Sequence, residues 1–193
     1  MSHELKKNIE QFVPISDEEF EQFVGKLEFK TYGKNEYLLK QGEICTQVIF
    51  LTKGCFRYFY NNDGNEKTGQ FFFENSWYTD MESFISGDPS EQNIQAIEPL
   101  ECLVLNKKDL YELYDSSQTF ERFGRLLIEF SFLGVKNKNK MLANLSPEEQ
   151  YLQLLQNRPK VVERISQKYI ASYLGIKPES LSRIRKRIFK NNK

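Results

Sequence analysis

Glu179, Ser180, Ser182, Arg183, Arg185 and Lys186 stand close together near the end of the chain, and Ser166, Gln167 and Lys168 precede them. A carboxylate can accept from cytosine N4, and a guanidinium fork can reach guanine O6 and N7. Hydroxyls, amides and ammonium groups suit phosphate oxygens, which fix position and make binding salt-dependent. The chemistry these residue types offer is therefore hydrogen bonding to the edges and backbone of a nucleic acid.

Such residues read a groove only if something rigid presents them. Ser166 is a good N-cap, and Ile170, Ala171 and Leu174 follow at helical spacing. Gly175 suits the left-handed residue that ends a helix, and Pro178 suits the first turn of the next one. Leu181, Ile184 and Ile188 then form one apolar stripe, with the polar set on the other faces. The pattern predicts two short helices and a tight turn, the second helix running from Pro178 to Asn191, which is the form of a helix-turn-helix reader of double-stranded DNA.

The charge distribution agrees. From Ser146 to Lys193 there are 11 Lys and Arg against 4 Glu, net +7, so in a chain with 27 of each sign residues 1–145 carry net −7. A neutral total hides a basic end suited to polyanions and an acidic body suited to repelling them.

Catalysis finds little support. The single histidine is His3, close to the start of the sequence, so triads built on His lack their base. No Gly-x-x-x-x-Gly-Lys or Gly-x-Gly-x-x-Gly loop is present. Cys45, Cys55 and Cys102 are odd in number and widely spaced, and read as buried thiols in a reducing compartment. No metal or cofactor is expected, nor any membrane span or apolar signal core, so the expectation is a cytoplasmic binding protein.

Three segments are expected. Residues 1–116 hold a β-rich unit with flanking helices, in which Ser16-Asp-Glu-Glu19 is a capping box and residues 4–25 look helical. Short strands follow at Tyr37–Leu39, Val48–Leu51, Cys55–Tyr60, Thr68–Phe73, Asn93–Ile97 and Leu103–Leu105, with Asp63-Gly64 as a hairpin turn. Residues 117–145 form a long helix and hinge. Phe120, Phe123, Leu127, Phe130 and Gly134 fall on one face of it, while Leu126, Leu133 and Val135 fall on another, so the helix needs two partners, its own domain and the twin helix of a homodimer, with the first of these faces expected to meet the twin. Ser146-Pro-Glu-Glu149 caps the first helix of the third segment, residues 146–193.

This order of parts resembles the Crp/Fnr family, the bacterial regulators related to the cyclic-AMP receptor protein. The likeness rests on Gly42-Glu43, Leu51-Thr-Lys-Gly54 and Ile94-Gln-Ala96, and more specifically on Ile170-Ala-Ser-Tyr-Leu-Gly175 and Pro178-Glu-Ser-Leu-Ser-Arg-Ile184. It implies an α+β fold: an N-terminal double-stranded β-helix, the jelly-roll-like β-roll, then a long dimerisation helix and a C-terminal winged helix-turn-helix. It also implies a homodimeric transcription factor that reads a palindromic promoter site, works with RNA polymerase and senses a small-molecule effector in the β-roll. The family's base-contacting positions match Pro178, Glu179 and Arg183, with Ser182 beside them. Pro178 stands where the best-known relative has arginine, so the target site should differ.

The sensing half departs from the family. Relatives that bind cyclic nucleotides use a Gly-Glu…Arg-Ser/Thr-Ala cassette, where the arginine holds the cyclic phosphate; here the region reads Tyr78-Thr-Asp-Met-Glu82, then Ser90-Glu-Gln-Asn93. Between Thr68 and Asn106 there is no Lys or Arg and there are seven acids. Charge-assisted bonds to a phosphate are missing, so cyclic AMP is not expected to bind in the family manner. Phe72, Trp77, Tyr78, Asp80, Met81, Glu82, Ser90, Gln92 and Asn93 are the expected lining of an effector pocket. The competing reading is a small-molecule or cyclic-nucleotide binding module whose basic tail docks a protein partner.

Overall fold

The computed structural model describes residues 2–191; Met1, Asn192 and Lys193, the outermost residues of the first and third expected segments, lie outside them. The chain opens with α1 (Ser2–Glu10) and α2 (Asp17–Val24). The stretch expected as continuous helix breaks at Pro14, which disfavours helical backbone at Val13. The Ser16 capping box restarts it: Glu19 N–H donates to Ser16 Oγ (3.2 Å), and Ser16 N–H to Glu19 Oε2 (3.1 Å).

Eight strands follow: β1 (Leu27–Tyr32), β2 (Tyr37–Leu39), β3 (Gln47–Lys53), β4 (Cys55–Asn62), β5 (Asn65–Phe73), β6 (Trp77–Tyr78), β7 (Asn93–Ala96) and β8 (Leu100–Asn106). They form two antiparallel four-stranded sheets, β1-β8-β3-β6 and β2-β7-β4-β5, the jelly-roll-like β-roll. Strands β1 and β6 were not expected. β1 has exposed polar and aromatic residues in mixed order, and β6 has only two residues, so neither carries a readable period. The Asp63-Gly64 hairpin has φ of 51° and 85°, the two positive values that a type I′ turn needs.

Between the sheets lie Ile49, Leu51, Phe56, Ile94, Ala96, Cys102 and Val104. A second core forms on the outer face of the first sheet, where Phe50, Leu103 and Leu105 meet Leu5, Ile9, Val13 and Phe23 from α1, α2 and the loop between them. Two further helices close it, α4 (Lys107–Ser116) with Leu113 and α5 (Gln118–Asn144) with Phe120 and Phe123. Between β6 and β7 sits the short α3 (Met81–Ser86).

Here one expectation is corrected. Phe120 and Phe123 do not face a second chain: they are buried in the chain's own core, with Leu127 partly buried beside them. Phe130 stays exposed but meets Phe12 edge-on at 5.9 Å. The face of α5 left uncovered carries Ile128, Phe132, Val135 and Leu142. Periodicity found the stripe of Phe120, Phe123 and Leu127 but could not say that the roll would claim it, and of the uncovered face it named Val135 alone, setting that residue with Leu126, which packs partly buried against the chain's own core.

Four helices end the fold: α6 (Pro147–Asn157), α7 (Pro159–Arg164), α8 (Gln167–Tyr173) and α9 (Pro178–Asn191). Their core is Tyr151, Leu154, Val161, Ile165, Ile170, Ala171, Leu174, Leu181, Ile184 and Ile188. The expected wing is corrected too: among the described residues no strand follows β8. A wing needs a hairpin, and the single glycine of this segment, Gly175, is spent on the turn between α8 and α9, at φ 67°.

Candidate functional site

The pair α8 and α9 is joined as the sequence predicts. Ile176 N–H donates to Ala171 O (3.0 Å) across the Gly175 turn, and Ala171 is fully buried where the helices meet. Ser166 occupies the N-cap position of α8 with extended backbone, though its hydroxyl makes no capping bond. On α9, Leu181, Ile184 and Ile188 point into the core. Pro178, Glu179, Ser180, Arg183 and Lys186 are exposed, and Ser182 and Arg185 are half-buried. Ser166, Gln167 and Lys168 are exposed at the start of α8. Arg187 is committed elsewhere, in an ion pair with Glu148 at 2.7 Å.

The residues expected around an effector divide into two groups. Trp77 does not face the roll's interior: it packs against Phe50 at 4.7 Å and against Phe23 and Phe123, and its Nε1 donates to Asn8 Oδ1 (2.7 Å). Tyr78, Asp80, Ser90 and Gln92 do meet. Ser90 Oγ donates to Asp80 Oδ2 (2.5 Å), Gln92 Nε2 to Asp80 Oδ1 (3.0 Å), and Tyr78 OH to Gln92 Oε1 (2.6 Å). Asp80 is 2% exposed. Both its oxygens are satisfied by neutral donors, a closed network that offers a phosphate no cation. Asn93 Oδ1 accepts from Gln41 N–H (3.1 Å), Met81 is half-buried, and Glu82 is exposed. A cavity of about 160 Å³ opens elsewhere, between β2 and β3, lined by Leu38, Leu39, Ile44, Cys45 and Ile94 and by none of the expected pocket residues.

A family model described as the cyclic nucleotide-binding domain matches residues 29–117. Among solved structures, FixK2 from Bradyrhizobium japonicum superposes with a TM-score of 0.76 at 16% identity, over 86% of each chain. The c-di-GMP responsive global regulator CLP from Xanthomonas campestris does so with 0.73 at 17% identity, over 92% of this chain and 93% of its own. A Crp/Fnr-family protein from Eubacterium rectale gives 0.70 at 16% identity, over 92% and 85%. The chain has the fold of the Crp/Fnr regulators. No curated protein matches it by sequence.

Within this Crp/Fnr fold the four C-terminal helices are seated on the β-roll. Cys55, Phe71 and Phe73, on the outer face of β4 and β5, join the helical core, with Phe71 at 5.5 Å from Tyr173. Around that apolar patch lies a polar rim. Arg164 forks onto Glu74 (2.9 and 2.7 Å) and also pairs with Glu98, and Lys160 adds a bond to Glu74 (2.9 Å). These cations, Arg164 first, pull the Glu74 carboxyl down to about 2. Arg158 donates to Phe71 O (2.7 Å) and to Gln70 Oε1. Ser172 accepts from Thr68 N–H (2.9 Å) and donates to Glu66 O (2.8 Å), so α8 is stitched to the backbone of β5.

Sequence reasoning missed this junction. The −7 and +7 halves were its available signal, read as DNA affinity on one side and repulsion on the other, although opposite charges also suit each other.

Proposed function

We propose that this chain is a DNA-binding transcription regulator, not an enzyme, that works in the cytoplasm as a homodimer and reads a palindromic promoter site through α9. One observation carries the reading: α9 buries Leu181, Ile184 and Ile188 while Glu179, Ser180 and Arg183 stay exposed on its first two turns. A recognition helix meets base edges with that end. Ser166, Gln167, Lys168, Ser180, Arg185 and Lys186 then hold phosphates, and RNA polymerase is the partner at the promoter. The uncovered α5 face, Ile128, Phe132, Val135 and Leu142, takes the twin helix. The Asp80 network supports the exclusion of a cyclic phosphate from the roll, because its side chains bond one another and offer the phosphate no cation. Among the described residues no cluster of His, Cys, Asp and Glu could hold a metal ion, and no helix is long and apolar enough to cross a membrane.

The test is selection of bound duplexes from a random pool, followed by Arg183→Ala. Loss of about 1–3 kcal/mol of preference at one base pair per half-site is expected, with the other positions unchanged. An unaltered preference would favour the competing reading, a binding module whose basic tail docks a protein.

A further inference from the structure

The interior of the roll next to the Asp80 network is furnished by the chain's own rings. Tyr58 stacks on Tyr78, with centroids 5.5 Å apart and planes within 11°. Phe72 lies 4.4 Å from Tyr78, and Phe56 lies 4.9 Å from Phe72. Tyr58 also shapes the strand beside it. The register of β4 on β5 slips between Tyr58 and Phe59, pairing them with Gln70 and Thr68, so Gly69 is left as a bulge. A Cβ on Gly69 would fall 1.7 Å from the Tyr58 ring, so the ring lies directly over that backbone.

The bulge faces the reader. Gly69 O accepts from Lys138 Nζ of α5, whose ammonium sits 4.7 Å from the Tyr173 ring of α8. Next to Gly69, Thr68 N–H holds Ser172. One contiguous set of contacts therefore runs from the roll's interior to the helix that precedes the recognition helix: Tyr58, Gly69, Lys138, Tyr173. In this pose Glu179, Ser180 and Arg183 are all exposed.

We propose that Tyr58 is a built-in occupant of the β-roll, doing through Gly69 and Lys138 what a diffusible effector would otherwise do, so that the reader is held in its DNA-binding pose without one. This rests on the proposed DNA-reading function. An effector can only shift an equilibrium by its differential affinity for two states; a side chain covalently in place biases it permanently, and the reader's orientation is fixed in advance of DNA.

The experiment measures affinity for a duplex selected by the wild-type protein. Tyr58→Ala leaves a ring-sized gap, and apolar gaps in folded proteins take up small aromatic molecules. The variant is expected to bind DNA about tenfold or more weakly, with millimolar phenol restoring most of the loss. Phenol and cyclic AMP should leave the wild type unchanged. Lys138→Met breaks the same path without opening the roll, and covers the case in which Tyr58→Ala does not fold; it too should bind more weakly, with an unchanged salt slope, because Lys138 touches no phosphate. A folded Tyr58→Ala or Lys138→Met protein with wild-type affinity overturns the proposal and leaves the DNA-reading function standing. So does a wild-type protein whose affinity rises severalfold with cyclic AMP. A wild-type protein that selects no duplex overturns both.

Discussion

The guanidinium carbon of Arg57, on β4, sits 3.9 Å from the ring centroid of Tyr169, on α8, and equally 3.9 Å from that of Phe59. The arginine is 1% exposed and donates to Glu66 (2.6 Å), Gln95 (3.0 Å) and Thr68 (3.3 Å). A cation enclosed by two rings gains about 2 kcal/mol or more from each face when water is excluded. Tyr169→Ala should therefore cost about 2 kcal/mol in denaturant unfolding and speed amide exchange at Thr68, whereas Tyr169→Phe, which keeps the ring, should stay near wild type. Equal costs for the two variants would mean that the ring over Arg57 contributes nothing to docking.

Acid should loosen the same junction from its other rim. Glu74 is held at about 2 by Arg164, against an ordinary 4.5. Because the folded pKa is the lower one, the interaction is fully present above pH 4.5 and is lost as pH falls from there towards 2. At about 1.4 kcal/mol per unit the shift corresponds to a little over 3 kcal/mol, which solvent screening of this partly exposed pair reduces to roughly 2–3 kcal/mol. Urea titrations across this window should show the wild type losing that much more stability than Glu74→Gln, whose curve lacks the step. Parallel curves would show that the Arg164 pair does not titrate in this way.

What the sequence made legible was what depends on local pattern. Ser146-Pro-Glu-Glu149 forms its capping box, with Glu149 N–H on Ser146 Oγ at 3.4 Å, and Asp63-Gly64 makes its turn, because both devices are complete within four residues. The helix pair α8 and α9 was legible for the same reason, as glycine, proline and stripe lie in one short run. Trp77 was misplaced because a two-residue strand has no period to show which side faces the roll. Arg57 was missed because β4 alternates Arg57 and Phe59 against Tyr58 and Tyr60, a pattern compatible with a solvated outer face until another domain covers it. Such packing is a property of distant segments: Tyr169 lies more than a hundred positions from Arg57.

The two faces of α5 give opposite expectations for substitution. Ile128, Phe132, Val135, Asn139 and Leu142 recur at alternating spacings of four and three, the spacing that a two-stranded coiled coil requires of its seam, and a polar residue such as Asn139 within a seam sets register. If the proposed homodimer forms through this face, Val135→Glu should leave a monomer by sedimentation equilibrium with little loss of monomer stability, since Val135 is exposed in the single chain. Phe123→Ala, in the buried face, should instead cost about 3–5 kcal/mol. A Val135→Glu protein that sediments as a dimer would place the twin helix elsewhere.

Lys138 makes the junction sensitive to alkali in an unusual direction. Burial, reinforced by Arg158 and Lys67, lowers its pKa to about 8 from 10.5, and its ammonium meets the Tyr173 ring and Gly69 O. Below pH 8 the folded protein must hold a poorly solvated ammonium. Between pH 8 and 10.5 the unfolded chain binds more of this proton than the folded one does, so stability rises with pH across that window. The tyrosines act oppositely but later: burial pushes Tyr58 up to about 12, so its contribution is lost only as pH climbs past 10. The gap in unfolding free energy between wild type and Lys138→Met should therefore shift in favour of the wild type from pH 8 to 10. Tyr58→Phe, which removes the competing phenol, should leave that shift in place. If the wild type and Lys138→Met keep a constant gap across the window, Lys138 is solvated as an ordinary surface lysine and the contact with Gly69 does not hold it in the junction.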